Sequence, residues 1–225
     1  MEVEVRLEPY EARVLGVLVE KALTTPEQYP LTLNAVVNAA NQRVNRDPVL
    51  ALSEDEVSEA LDGLITKELV RKVFPGNSRV DKFCHTGTSR LKIEVAQLAL
   101  LAELMMRGPQ SLAELRARAG RMVAIESPEQ LAGLLEPLEQ RGLVERVPPG
   151  RGFRVERVAQ RLAPDLHPLD AAAPTVTETP SEEAHAPTRA LLSARIESLE
   201  ATVIRLERQL RTLAEKLGEP LDNSG

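Results

Sequence analysis

The chain has 225 residues, of which 43% are hydrophobic and 2% aromatic, and its formal net charge at pH 7 is −6. This length suits two small domains with aliphatic cores, plus extensions. The acidic balance argues against a general nucleic-acid coat, although a basic face can still exist locally. The single cysteine excludes an internal disulfide framework. The sequence begins with acidic residues and lacks the apolar core of a signal peptide, and it contains no apolar run of roughly 18 residues. These features predict a soluble cytoplasmic protein with no membrane partner.

Apolar residues at three- and four-residue spacing predict a first helix from about Pro9 to Leu23. A second helix is predicted to open near Thr32, and a third at Ser53, where Ser53 and Glu56 form a capping box. Two short strands around a Pro-Gly-Asn-Ser turn complete this part of the chain, at Leu69–Phe74 and Arg79–Cys84. Three helices followed by a β-hairpin is the order of a winged-helix domain.

Amide side chains recur along the second predicted helix, on a stripe that flanks its buried face. Asn and Gln can make paired hydrogen bonds to adenine in a DNA groove, so this stripe is a candidate base-contact or partner face. The alternative is that these residues cap loops or satisfy a neighbouring helix. The face comprises Asn34, Asn38, Asn41, Gln42, Asn45 and Arg46.

Three stretches of this region stand out: Leu15-Gly16-Val17-Leu18-Val19-Glu20-Lys21, then Thr24-Thr25-Pro26-Glu27-Gln28-Tyr29-Pro30-Leu31, then Asn41-Gln42 with Asn45-Arg46-Asp47-Pro48. Together they resemble the YceH-like family of bacterial proteins. The resemblance is close over residues 7–87 and looser over 91–162. It implies a tandem winged-helix fold and no activity, because no biochemical role is established for the family.

The same order of elements is predicted a second time. A helix from Leu91 to Arg107 stops at Gly108-Pro109, and further capping boxes open helices at Ser111 and Ser127. Pro137 is expected to kink the last of these helices or shift its start. The second hairpin is predicted at Leu143–Val147 and Phe153–Val158. The predicted fold is thus mainly α with small β-hairpins, an α+β class, with winged-helix domains at 1–87 and 88–162.

The C-terminal part changes composition twice. Residues 163–188 are rich in Pro, Ala and Thr, which is typical of a linker. Residues 189–218 then carry a heptad pattern that favours a parallel homodimeric coiled coil. The alternative is a helix that folds back on its own chain. The predicted dimerisation positions are Leu192, Ile196, Leu199, Val203, Leu206, Leu210, Leu213 and Leu217.

Residue patterns for catalysis are missing from the sequence. The three histidines are scattered, and no cysteine or histidine cluster supplies a metal site. There is no Gly-rich phosphate loop and no nucleophile elbow. We therefore expect a protein that is not an enzyme and has no catalytic residues, metal or cofactor.

Charge is distributed unevenly along the chain. Residues 1–87 hold 10 basic and 14 acidic residues, a net charge of −4, whereas residues 88–163 hold 12 and 9, a net charge of +3. Phosphate contacts with DNA are therefore predicted in the second domain. Alternatively, the excess of 22 arginines over 6 lysines reflects genome composition. The candidate phosphate contacts are Arg116, Arg118, Arg121, Arg146, Arg151, Arg154 and Arg157.

Two functions remain open from sequence. The favoured expectation is a dimeric DNA-associated transcriptional regulator, because helix-turn-helix folds commonly read DNA. The alternative is a protein-interaction scaffold, because the third helix of each domain carries acidic residues that phosphates would repel. Tandem winged helices with acidic recognition helices also resemble the accessory subunits of bacterial chromosome-condensing complexes, which bind protein.

Overall fold

Helices and short antiparallel strands make up the part of the chain that the computed structural model describes, residues 5–74, 80–150 and 153–169. The helices are α1 (Pro9–Thr24), α2 (Leu33–Ala40), α3 (Glu54–Thr66), α4 (Gly87–Leu91), α5 (Val95–Arg107), α6 (Leu112–Ala119) and α7 (Pro128–Gln140). The strands are β1 (Leu31–Thr32), β2 (Val70–Val73), β3 (Lys82–His85), β4 (Val144–Val147) and β5 (Arg157–Gln160). This arrangement confirms the predicted α+β class. Residues 163–169 of the predicted linker are described and pack on the fold, with Ala163 and Leu166 buried. Residues 170–188 and the heptad segment lie outside the described residues.

The predicted repeat of element order is present. The first repeat runs α1, β1, α2, α3, β2 and β3, and its three-stranded sheet has the order β1-β3-β2, with Leu31 opposite Phe83. The second repeat runs α5, α6, α7, β4 and β5. Gln110 takes the place of β1 in this second copy, where it forms an isolated bridge with Val158. Strand β1 was not predicted, because two residues are too short to show a period.

Serine caps begin three of the helices, as the sequence predicts. Ser53 Oγ accepts from the Glu56 N–H at 3.2 Å, and the Glu56 carboxylate accepts from the Ser53 N–H at 2.8 Å. Ser111 and Glu114 form the same reciprocal pair. At the third cap, Gln130 instead accepts from the Glu126 N–H at 2.7 Å. Ser127 still accepts from the Gln130 N–H, but its φ of −136° differs from the −72° at Ser53, and the predicted capping box does not form here.

Helices α1 and α5 pack against each other at the centre of the fold. Every residue from 11 to 20 and from 97 to 106 is buried, so neither helix has a solvent-facing side within those stretches. Gly16 permits the contact, since a Cβ there would lie 3.0 Å from Met106 Cγ and 3.3 Å from the Ala102 carbonyl oxygen. One hydrophobic core consequently runs through both repeats. All the described residues belong to one compact unit, residues 1–174.

Two helix boundaries differ from the prediction, and a third agrees with it. Helix α2 ends at Ala40, so the prediction that one helical stripe carries all the asparagines is wrong for Asn41 and Asn45. The helix predicted over 91–107 begins only at Val95, because Leu91 ends the short helix α4 and Lys92 adopts a left-handed φ of 51°. Helix α7 starts at Pro128 and passes through Pro137, so this proline does not shift its start.

Candidate functional site

The asparagine face is shorter than the sequence predicts. Asn34 and Asn38 are exposed on α2, and the Asn38 amide donates to Asn34 Oδ1 at 3.1 Å. Asn41 instead holds the loop before α3, since its side chain donates to the Leu52 carbonyl at 2.8 Å and accepts from the Leu52 N–H at 2.7 Å. The surface therefore retains Asn34, Asn38 and the exposed Gln42.

Arg46 lies inside the protein, where it is 5% exposed. Its guanidinium donates to the Ala39 carbonyl at 3.1 and 3.0 Å, which satisfies an otherwise open carbonyl at the end of α2. It also donates to Glu20 Oε2 at 2.5 Å. Asn45, with a left-handed φ of 62°, turns the chain so that this side chain points inward. The predicted role of Arg46 at the partner face is incompatible with this burial.

A buried ion cluster joins the two repeats around α1 and α5. Glu20 and Glu103 are its carboxylates, and both are almost completely buried. Arg121, from the loop after α6, hydrogen-bonds to Glu20 and lies 2.8 Å from Glu103. Arg107 Nε lies 3.4 Å from the same Glu103 carboxylate. Burial alone would raise the pKa of Glu20, but hydrogen bonds from Arg46 and Arg121 and their charges hold that pKa below its ordinary value.

Several of the predicted phosphate-contact arginines already form salt bridges with carboxylates of the protein itself. Arg121 belongs to the ion cluster, and Arg146 lies 2.8 Å from both Glu139 and Glu156. The remaining two paired arginines both approach Glu114: Arg157 Nη1 at 3.4 Å, and Arg118 Nη2 at 3.7 Å.

Two of the seven predicted phosphate-contact arginines are not paired in this way. Within the described residues, Arg116 and the exposed Arg154 make no salt bridge to a carboxylate. Arg151 lies outside the described residues. The structure therefore does not bring the seven together as one open basic face.

Helix α3 presents an acidic face to solvent. The exposed residues on it include Glu54, Asp55, Glu59 and Asp62. The helix dipole favours negative side chains near a helix N-terminus, and this accounts for Glu54 and Asp55 without any ligand. Glu59 and Asp62 lie beyond the first turn and take part in a groove.

The groove lies between the start of α1 and the exposed side of α3, and its volume is about 620 Å³. Gly63 forms part of its wall, and a Cβ at this position would overlap the Glu11 carboxylate. Glu11 is 5% exposed and ion-paired with Lys67, so its charge is largely neutralised within the fold. The residues that line the groove are Glu8, Pro9, Tyr10, Glu11, Glu56, Glu59, Ala60, Asp62, Gly63 and Thr66.

We call this surface the α1–α3 groove. It combines five carboxylates with Tyr10, a partly exposed aromatic ring, and with apolar patches from Pro9 and Ala60. Sequence reasoning identified the acidic residues of α3 and missed those of α1. The spacing of Glu8, Pro9 and Glu11 at a helix start was the available signal, since it places carboxylates at the N-terminal end of α1.

A separate group of polar side chains in the first repeat lies at β3. Cys84 is buried, and Arg71 Nε donates to its Sγ at 3.1 Å. The Tyr29 hydroxyl accepts from the His85 N–H at 2.6 Å, and burial raises the pKa of Tyr29 above its ordinary value. Among the described residues, no three His, Cys, Asp or Glu side chains are grouped so as to hold a metal ion. No helix in the same ranges is long and apolar enough to cross a bilayer.

Comparison with known proteins identifies the family. The family described as "Protein of unknown function, DUF480" matches residues 7–152. A UPF0502 protein of Hahella chejuensis is 40% identical over 213 residues, covering 92% of this chain and 96% of the relative. The UPF0502 protein YceH of Escherichia fergusonii is 40% identical over 216 residues, covering 93% and 96%. A UPF0502 protein of Geobacter sulfurreducens is 46% identical over 175 residues, covering 76% and 80%. The chain therefore belongs to the DUF480, or UPF0502, family of YceH-like bacterial proteins.

Proposed function

We propose that the chain is a non-enzymatic protein-interaction module, in which two winged-helix domains present the α1–α3 groove to a basic segment of a partner protein. The observation that carries this proposal is the acidic groove along α3, the helix that would enter the major groove if the first domain read DNA. DNA phosphates are repelled by such a surface, whereas lysine and arginine side chains are attracted to it.

The winged-helix assignment is part of the proposal. It is supported by the order of helices, strands and hairpin in each repeat and by the antiparallel sheet β1-β3-β2. The second repeat also supports the role as a protein-interaction module. Arg146 and Arg157, which a DNA-binding hairpin would offer to phosphates, already lie beside carboxylates of the same chain.

The chemistry of the groove limits what it can receive. Two exposed carboxylates, Glu59 and Asp62, lie one helical turn apart on α3 and can each accept from a cationic side chain. Tyr10, which is 40% exposed, offers its ring for apolar or cation–π contact. The partner segment is therefore expected to carry lysine or arginine three or four residues apart, with an apolar residue between them.

A synthetic peptide tests this proposal directly. The probe is a fluorescent peptide with the repeat Lys-Leu-Ala-Ala, and its counterpart with Glu in place of Lys is the control ligand. Fluorescence anisotropy at about 50 mM salt should show binding of the basic peptide and none of the acidic one. Replacing Glu59 with Gln and Asp62 with Asn should abolish the binding, while the matched change of Glu129 and Glu136 to Gln on α7 should preserve it. Equal effects of the two double variants would refute the groove assignment.

A DNA-associated regulator is the second candidate. It is favoured by one observation, which is that Arg154 is exposed on the second hairpin without a carboxylate partner among the described residues. An arginine in this position can contact a phosphate. In either function we propose that the molecule acts as a homodimer through the predicted coiled coil at 189–218.

A further inference from the structure

The side chain of His167 ties the end of the described fold to two other segments. His167 follows a 3-10 turn at Pro164–Leu166, and its Nε2 lies 2.5 Å from the Asp47 carbonyl oxygen. Its ring rests against Gly108, where a Cβ would lie 2.8 Å from the ring. Gly108 also has a φ of +73°, which favours glycine. The ring therefore joins the loop after α2 to the end of α5.

This contact selects the neutral form of the imidazole. The Asp47 carbonyl can only accept, so Nε2 carries the hydrogen and donates it. Nδ1 then holds a lone pair, and this atom is inaccessible to solvent and has no hydrogen-bond partner. A second proton would create a buried N–H donor at a place where no acceptor is available among the described residues. Leaving a buried donor unsatisfied is unfavourable, because the donor loses its hydrogen bond to water and gains none in the protein.

The charges around the ring are mixed. Arg13 of α1 is 0% exposed, donates to the Pro48 carbonyl at 2.7 Å, and leaves its Nε and Nη1 without a partner. A second positive charge beside it is unfavourable. The carboxylate of Asp47 acts in the opposite direction. Glu145 lines the same small cavity as the ring and is ion-paired with Arg161 at 3.7 Å.

Burial lowers the pKa of His167, as does the charge of Arg13, whereas the hydrogen bond to Asp47 and its charge raise it. The result is a pKa below the ordinary value. The pKa of Arg13 is itself lowered to about 10, chiefly by its burial. Two basic groups thus share a site that disfavours positive charge.

We propose that His167 is a pH-sensitive latch, and that uptake of a proton at Nδ1 releases residues 163–169 from α1, α5 and the loop at Asp47. Because the folded state disfavours the protonated ring, the unfolded segment binds the proton more readily. The latch is therefore fully closed above the ordinary histidine pKa of about 6.5 and loosens as the pH falls through the lower folded value. This behaviour goes beyond the proposed interaction with a basic partner and does not depend on it.

Hydrogen exchange of the full-length protein tests the latch. The reporters are the amides of Leu166 and His167, which donate to the Ala163 and Pro164 carbonyls at 3.2 Å each. Their protection, corrected for intrinsic exchange, should fall at least about threefold between about pH 7.5 and pH 5. The amide of Leu101 in α5 should keep its protection, because the core does not take part.

Two variants separate the latch from a general effect of acid. In His167→Gln the side-chain amide can still donate to the Asp47 carbonyl but does not titrate, so protection should be independent of pH. His85→Gln is the matched control, because His85 also has a buried Nδ1 without a partner but lies in β3 of the first repeat, and it should behave as wild type. A pH-dependent loss of equal size in His167→Gln would overturn the proposal, as would constant protection in the wild type.

If His167→Gln opens the segment at every pH, its hydrogen exchange cannot report on the latch. Direct measurement of the His167 pKa then tests the proposal. The His167 ring is followed by NMR in the wild-type protein. A pKa below about 6.5 supports the latch, and a pKa at or above that value overturns it.

Discussion

Arg46 and Glu20 meet 2.5 Å apart between Nη2 and Oε2, with side chains that are 0% and 3% exposed. The arginine lies in the loop after α2, and the glutamate lies on α1. The pair therefore fixes this loop against α1, the helix of the first repeat that packs on α5. A buried pair of this kind need not add net stability, but removal of one partner leaves the other uncompensated.

Replacing Arg46 with Ala should therefore lower the free energy of unfolding by about 3 kcal/mol. Glu20 would keep only Arg121 as a partner, and the Ala39 carbonyl would lose its donors. Urea denaturation followed by circular dichroism measures the change. Arg43→Ala is the matched control, because Arg43 is exposed in the same loop, and it should stay within about 0.5 kcal/mol of wild type. Equal losses in the two variants would contradict a structural role for the buried pair.

Gly16 and Gly133 should respond oppositely to a larger side chain. Gly16→Leu should destabilise by about 1–3 kcal/mol, because its side chain enters the contact with Met106 and the Ala102 carbonyl. Gly133 lies in α7 with nothing within 4 Å of a Cβ, so Gly133→Ala should stabilise by up to about 1 kcal/mol. Thermal denaturation compares the two. A neutral Gly16→Leu would show that α1 and α5 can separate at this point without cost.

The DNA candidate makes a distinct prediction about salt. If the second hairpin contacts phosphates, changing Arg151 and Arg154 to Ala should reduce affinity and flatten the slope of log affinity against log salt by about 0.9 for each lost contact. Arg146→Ala is the matched control, because its guanidinium already lies between two carboxylates, and it should change the slope little. Changing Glu54 and Glu59 to Gln should strengthen the binding of DNA, because it removes two negative charges from α3.

The exposed asparagines provide a separate arm of this experiment. If Asn34 and Asn38 contact bases, replacing both with Ala should erase sequence preference and leave the salt slope nearly intact. Electrophoretic or anisotropy assays across a salt series measure both quantities. Absence of binding by the full-length protein even near about 50 mM salt would rule out the regulator.

Assembly is predicted to depend on the heptad segment. Changing Val203 and Leu210 to Asp places charges at core positions of the predicted coiled coil and should yield a monomer. Light scattering reports the mass, and circular dichroism should show that the repeats remain folded. A variant that remains dimeric would place the dimer contact elsewhere. As a control, Glu207→Asp alters a heptad position outside the predicted hydrophobic seam and should leave the mass unchanged.

Local signals in the sequence predicted much of the fold. Ser53 with Glu56, and Ser111 with Glu114, occupy the predicted helix starts, because a capping box needs only residues three apart. The end of α2 was missed because long-range contacts determine it: Asn41 binds Leu52, and Arg46 binds Glu20. These partners are 11 and 26 residues apart, and helix periodicity carries no information about such pairs.

The candidate site was predictable only in part. The acidic side of α3 follows directly from its sequence, but the groove needs α1 beside it, and this packing is tertiary. The pairing of Arg121 with Glu20 and Glu103 was also missed. A single glutamate within an apolar helix was the available signal, since a buried carboxylate requires a cationic partner or hydrogen-bond donors.

The packing of α1 against α5 has a consequence for synthesis. When Leu91 has emerged from the ribosome, the first repeat is complete, but the buried face that α1 turns toward α5 still lacks its partner. Ribosomes add about 5–20 residues per second, so the residues up to Arg107 emerge roughly one to three seconds later. During that interval the nascent chain exposes an aliphatic helix surface to chaperones and to neighbouring chains. A gene truncated between the repeats would make this exposure permanent, and its product should aggregate or be degraded.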